Sequence, residues 1–146
     1  MIIIPVHNRS EIEACADIWL QASLAAHDFV SADFWHENHA AMKEQYLPGS
    51  DCYLAKEEEA FLGFAAVYQG ALAALFVRPV SWSKGGGSEL LRHVQDLYAE
   101  LTLTVYSRNS RAVNFYLRHG FAVSKEQACQ HTGEPELLML WKGTGS

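Results

Sequence analysis

An α+β protein is expected from three observations. Short β-type apolar runs alternate with helical stripes along the whole chain. Three strand-like runs follow one another between residues 52 and 77, joined by short turns. An apolar strand, a glycine-rich turn and a helix start then come together in LFVRPVSWSKGGGSELL, residues 75–91. The order β-α-α-β-β-β-α-β-α-β-β describes a mixed α/β sheet with helices against it.

Each element has its own signal. Ile2 to Val6 is a short β-type run. Ile12, Cys15, Trp19 and Ser23 then fall on one helical stripe, with Ser10 as the expected N-cap. His27-Asp28-Phe29-Val30 is a connection. Ser31 caps a second helix running to about Leu47, where Pro48-Gly49-Ser50 stops it. Cys52 to Lys56 and Phe61 to Tyr68 are strands joined by the acidic turn Glu57-Glu58-Glu59, which reads as a solvated turn. Gln69-Gly70 turns into the strand Ala71 to Val77. After the glycines, Ser88 and Glu89 open a helix with Leu90, Val94 and Leu97 on one stripe. Leu101 to Tyr106 is a strand. Arg111 to His119 is a helix, with Gly120 placed to end it in the left-handed conformation. Phe121 to Val123 and Leu137 to Trp141 complete the sheet around Thr132-Gly133-Glu134-Pro135.

The 146 residues suit one domain, 1–146, with no repeat or linker. Apolar residues make up 49% and charged residues 19%, as in folded, water-soluble domains. No apolar run approaches the ~20 residues of a membrane span, so no membrane partner is expected. The N-terminus reads as a strand, not a secretory signal. Cys15, Cys52 and Cys129 are odd in number and widely spaced. They suit a cytoplasmic protein with ordinary thiols. A net charge of −6 argues against a nucleic-acid partner and suits cationic substrates. His36-Glu37-Asn38-His39 has its histidines three apart, not four, so no metal is expected there.

Gly85, Gly86 and Gly87 carry the strongest chemical signal. Helix N-termini leave N–H groups unpaired, and glycines let several converge on one anion. A phosphate-cradling Walker A loop needs a lysine after its last glycine, but Lys84 precedes all three. A dinucleotide fingerprint needs a further glycine where Leu90 stands. A pyrophosphate cradle for coenzyme A and a glycine loop that holds nothing both remain open on residues alone.

A second string accompanies this turn. Asn109, Ala112, Phe115-Tyr116 and Gly120-Phe121 follow in order on the next strand–helix unit. Together with Trp82-Ser83-Lys84-Gly85-Gly86-Gly87, it makes the whole chain resemble the GNAT superfamily of N-acetyltransferases. His27-Asp28-Phe29 and Ala73-Ala74-Leu75-Phe76-Val77 resemble its small bacterial YiaC/YjaB-like group. The resemblance implies a central mixed sheet splayed between strands 4 and 5, with acetyl-coenzyme A in the gap. It implies backbone pairing of the pantetheine arm with Leu75, Phe76 and Val77. The pyrophosphate would meet Trp82, Ser83, Lys84, Gly85, Gly86, Gly87 and Ser88. Asn109 would contact the coenzyme, or simply cap its helix. The family usually has arginine or glutamine where Trp82 stands. Lys84 supplying the lost charge, and Trp82 stacking on the coenzyme, are the alternatives.

The implied reaction moves an acetyl group from acetyl-coenzyme A to a primary amine. An N–H of the strand edge, such as that of Leu75, would serve the thioester oxygen. Tyr116 matches the position that protonates the leaving thiolate, though its stripe with Ala112, Phe115 and His119 also suits core packing. The strand Ala71 to Phe76 has no carboxylate to act as base. His27, Asp28, His36 and Glu37 are the candidates, beside proton loss to water. The aromatics Phe29, Phe34 and Trp35 would line the acceptor side or fill the core. The acceptor would be a protein lysine, a peptide N-terminus or a small amine. The alternatives are a non-catalytic acyl-coenzyme A sensor and a plain nucleotide-phosphate binder. Two copies could pair as a homodimer through the C-terminal strand.

Overall fold

The computed structural model describes residues 1–82 and 84–143. Its seven strands are β1 (Ile2–Pro5), β2 (Asp51–Glu57), β3 (Ala60–Tyr68), β4 (Ala71–Val77), β5 (Glu100–Tyr106), β6 (Ala122–Ala128) and β7 (Pro135–Lys142). The helices are α1 (Arg9–Ala26), α2 (Ala32–Ala41), α3 (Gly86–Leu97) and α4 (Ser110–Arg118). The element order is the expected one. The sheet order is β1-β2-β3-β4-β5-β7-β6, with β4 and β5 parallel and the other neighbours antiparallel.

The sheet separates two cores. On one face Leu90, Leu91 and Val94 of α3 and Tyr116 of α4 pack with Leu62, Leu72, Leu101 and Met139. On the other, Cys15, Ile18 and Trp19 of α1 and Trp35 of α2 pack with Leu47, Leu54, Phe64 and Ala74. Cys15, Trp19, Leu90 and Val94 from the sequence stripes lie on these buried faces, whereas Leu97, at the last turn of α3, is exposed. Each fully buried large aliphatic or aromatic side chain contributes about 1.5–3 kcal/mol.

Several boundaries differ for identifiable reasons. Asn8, not Ser10, caps α1: its side chain accepts from the Glu11 N–H while Glu11 reaches back to the Asn8 N–H. Ser31 caps α2 as expected. That helix stops at Ala41, and the chain continues as a π-helical turn, Met42–Tyr46, so Leu47 closes back onto Met42. α3 begins at Gly86 because Gly85, at φ 81°, makes the left-handed bend before it. β6 runs five residues beyond Val123. Its Ser-Lys-Glu stretch is exposed at the sheet edge and Gln127 is half-buried, so no apolar alternation announces it.

α4 ends as read. Gly120, at φ 91°, donates to Leu117 O, and Phe121 N–H reaches back to Tyr116 O at 3.0 Å. The Tyr116 and Phe121 rings meet across this closure, 5.5 Å apart. The end of α4 therefore anchors the Tyr116 backbone. The homodimer expectation through the C-terminal strand is corrected: β7 lies between β5 and β6, so both its edges are already paired. The outer strands are β1 and β6.

Candidate active site

The parallel pairing of β4 with β5 is confined to one register pair, Ala71 with Thr102. Beyond it the strands diverge, and β4 keeps only its β3 partner. The register of β3 with β4 shifts at Ala66/Val67. Arg78 N–H bonds to Leu62 O at 2.8 Å. Bonded residues alternate along an antiparallel pair. The N–H and C=O groups of Leu75 and Val77 therefore point away from β3, into the opening. The Val77 carbonyl is taken: Trp82 Nε1–H donates to it at 2.7 Å. Val77 N–H and both polar groups of Leu75 face the gap.

A cleft of about 310 Å³ lies on the glycine-turn side. Of the residues singled out from the sequence, Leu75, Phe76, Val77, Trp82, Gly85, Gly87, Ser88, Asn109 and Tyr116 line it. Gly86 does not; it is buried beneath, toward Leu62 and Met1. Lys84 is exposed and outside the lining. Ser83 lies outside the described residues. The Ser88 hydroxyl is engaged with His119 Nε2 at 3.2 Å. Phe115 of the second string also lines the cleft, together with two residues no motif announced, Arg111 and Arg118 of α4.

Trp82 shows where its unusual side chain goes. One face of its ring carries the Arg111 guanidinium, 4.6 Å from the ring centroid. Arg111 Nη2 also donates to the Trp82 carbonyl at 3.4 Å.

A larger cavity of about 720 Å³ opens on the α1–α2 side. Trp19, Phe34 and Trp35 wall it from the helices. Tyr106, Cys129, His131 and Glu136 wall it from β5 and the β6–β7 turn. Phe34 and Trp35 thus belong to the wall as well as to the core. Glu136 is the one carboxylate among the described lining residues, and Gln127 Nε2 donates to its Oε2 at 2.6 Å. Burial raises the Tyr106 phenol to about 12. Burial also opposes ionisation of the Cys129 thiol, but hydrogen bonds with Thr132, the backbone of His131 and Tyr106 outweigh it, leaving the thiol below its ordinary value. Nothing in the spacing of Arg111, Tyr106, Cys129 and Glu136 could have marked them. Tyr106, Cys129 and Glu136 share the larger cavity because β5, β7 and the β6–β7 turn border it, whereas Arg111 of α4 lines the smaller cleft.

His27, Leu75, Phe76, Asn109, Ala112 and Tyr116 line both cavities. Tyr116 is 9% exposed, and burial pushes its phenol above the ordinary value of about 10. Among the described residues its hydroxyl has no hydrogen-bond partner. Burial likewise lowers His27 to about 4, so it is neutral near pH 7. Of the four candidate bases only His27 reaches a cavity; Asp28, His36 and Glu37 are exposed outside both.

This arrangement can hold an extended thioester between β4 and β5, with its phosphates toward α3 and α4. An attacking group can enter from the opposite side. No helix among the described residues is long and apolar enough to cross a membrane.

Comparisons with known proteins agree. The family model described as Acetyltransferase (GNAT) domain matches residues 17–140. The chain is 32% identical to peptidyl-lysine N-acetyltransferase YiaC of Escherichia coli (strain K12) over 135 residues, 92% of each chain. It is 30% identical to peptidyl-lysine N-acetyltransferase YjaB of the same strain over 133 residues, 90% of each. The solution structure of apo-form YjaB from Escherichia coli superposes with a TM-score of 0.83 at 28% identity, covering 99% of this chain and 100% of that one. The PaiA N-acetyltransferase of Thermoplasma acidophilum, solved in complex with coenzyme A, shares the fold with a TM-score of 0.79 at 18% identity, covering 97% and 99%. The chain belongs to the GNAT family of acetyl-coenzyme A-dependent N-acetyltransferases.

Proposed function

We propose that this enzyme acetylates the side-chain amine of a peptidyl lysine by direct attack on acetyl-coenzyme A, with Tyr116 as the general acid. The observation that carries the reading is the position of Tyr116. It lines both the cleft and the larger cavity, and burial keeps its phenol protonated. In this reading the pantetheine arm pairs with Leu75 and Val77, and Phe76 packs beside it. The phosphates lie along the turn from Trp82 to Ser88, and Asn109 holds α4 in register with the coenzyme.

The amine nitrogen attacks the thioester carbonyl carbon, and the carbon–sulfur bond breaks. The departing thiolate takes the Tyr116 proton. Leu75 N–H points into the gap, where charge gathers on the carbonyl oxygen. The substrate ammonium gives one proton to water before it attacks, the acylated nitrogen gives up a second, and solvent returns a proton to Tyr116. His27 is a poor recipient, because its low proton affinity mismatches a lysine amine of about 10.4. A lysine stem suits the aromatic walls, and Glu136 attracts the charged amine. The names of the relatives YiaC and YjaB support this acceptor class.

The test is a thiol-release assay with mass-spectrometric site mapping. An Nα-blocked lysine peptide should be acetylated, and a lysine-free peptide with an open N-terminus should not. The reverse pattern overturns the lysine assignment.

A further inference from the structure

We propose that Arg111, seated on Trp82, is the side chain that meets the phosphate charge of the coenzyme. Trp82 is then a positioning residue for it. The inference rests on the acetyl-coenzyme A reading and adds how the chain binds the diphosphate without a cation at position 82.

The argument begins with charge. The chain carries −6 overall, yet the cleft is lined by two arginines and no carboxylate among its described residues. Arg111 and Arg118 are seven residues apart, two turns of α4, so they project from one side of the helix. Neither forms an ion pair among the described residues, whereas Arg9, Arg92 and Arg108 each pair with a glutamate. An uncompensated guanidinium pair on one wall of a cleft is complementary to phosphate, which the planar fork binds in bidentate fashion.

The Trp82 geometry gives Arg111 a fixed place. The indole N–H is tied to Val77 O at 2.7 Å, which holds the ring against the end of β4. That ring then carries the guanidinium at 4.6 Å, while Nη2 bonds to the Trp82 carbonyl. A guanidinium on an aromatic face is attracted by the ring quadrupole and keeps its in-plane donors available. An arginine at position 82 would bring its charge from the turn before α3. Here the charge arrives from the first turn of α4, and the turn supplies the platform. Lys84, exposed and outside the lining, does not take that part.

The experiment compares acetyl-coenzyme A with acetyl-pantetheine, which keeps the thioester arm and lacks every phosphate. Affinities are measured by titration calorimetry at several salt concentrations, and turnover by thiol release. Arg111→Gln should weaken acetyl-coenzyme A binding by roughly 10-fold or more and flatten its salt dependence. Its kcat/KM with acetyl-pantetheine should stay within about 2-fold of the wild type. Trp82→Leu should give a smaller loss, and the double variant should bind no more weakly than Arg111→Gln alone, because Trp82 acts through Arg111. Trp82→Arg should restore affinity in the Arg111→Gln background. Unchanged acetyl-coenzyme A affinity in Arg111→Gln overturns the assignment, as does an equal loss with acetyl-pantetheine. Additive losses overturn the platform role of Trp82. Failure of the wild type itself to bind acetyl-coenzyme A would instead sink the coenzyme reading beneath it.

Discussion

The Asn109 side-chain amide donates to His27 Nε2 at 3.1 Å, and its oxygen accepts from Ala112 N–H at 3.2 Å. One side chain therefore caps α4 and ties it to the C-cap residue of α1, across the opening between β4 and β5. The bond also fixes the histidine tautomer. With Nε2 accepting, the proton sits on Nδ1, which is buried without a partner among the described residues.

Asn109→Ala removes both bonds. Losing the cap costs about 1 kcal/mol and leaving a buried imidazole nitrogen unpaired about 1–3 kcal/mol. A chain of this length loses about 2–4 °C of Tm per kcal/mol, so a fall of roughly 4–16 °C is expected in thermal melts. Asn109→Asp keeps the cap and lets His27 donate from Nε2 instead, so it should recover most of the loss. Equal melting of the two variants would mean the cap carries nothing.

His27 makes stability depend on pH in a defined window. Its folded value is depressed to about 4 by burial, against about 6.5 when unfolded. Between these values the unfolded chain binds a proton that the native one does not. The contribution is fully present above pH 6.5 and lost as pH falls toward 4, on the order of 3 kcal/mol in all. Urea unfolding of the wild type and His27→Gln at pH 7 and pH 4.5 should show a steeper acid loss in the wild type. An NMR titration of the His27 ring with a midpoint near 6.5 would contradict it.

Tyr116→Phe should lower kcat about 100-fold, the small end of general-acid effects. Acetyl-coenzyme A affinity should stay within about 2-fold. Because burial raises the phenol, no alkaline limb from this group is expected below about pH 10. Parallel loss of binding and turnover would make Tyr116 a packing residue.

Glu136→Gln removes the carboxylate from the acceptor-side wall. KM for a lysine peptide should rise several-fold, while kcat and acetyl-coenzyme A affinity hold. A shift in kcat alone would point to proton removal rather than attraction of the amine.

The sequence displays what is encoded locally. β4, the bend at Gly85 and α4 with its glycine closure are legible because each depends on residues within a few positions. Asn109 and Tyr116 stand out for the same reason: their spacing matches a known string. Glu136 and Arg111 are invisible that way. Their proposed roles rest on β7 lying beside β5, and on the Trp82 ring reaching the first turn of α4. From residues alone the π-helical turn at Met42–Tyr46 is indistinguishable from continuing helix, because its wider hydrogen-bond spacing leaves no compositional trace. His36 and Glu37 of α2 lie exposed outside both cavities, a placement their spacing does not reveal.

The single pairing of Ala71 with Thr102 has a consequence for handling the protein. Past that point β4 and β5 no longer pair, and apart from the Val77 carbonyl that Trp82 occupies the β4 edge faces the opening, where proteins otherwise shield such edges from pairing with another chain. In the binding mode proposed above, a bound thioester arm would close the seam as an inserted strand does. The acetyl donor would then be a structural stitch as well as a reactant. Resistance to aggregation and amide-exchange protection along β4 should rise and fall with donor supply, so preparations stripped of coenzyme are the ones to watch for association.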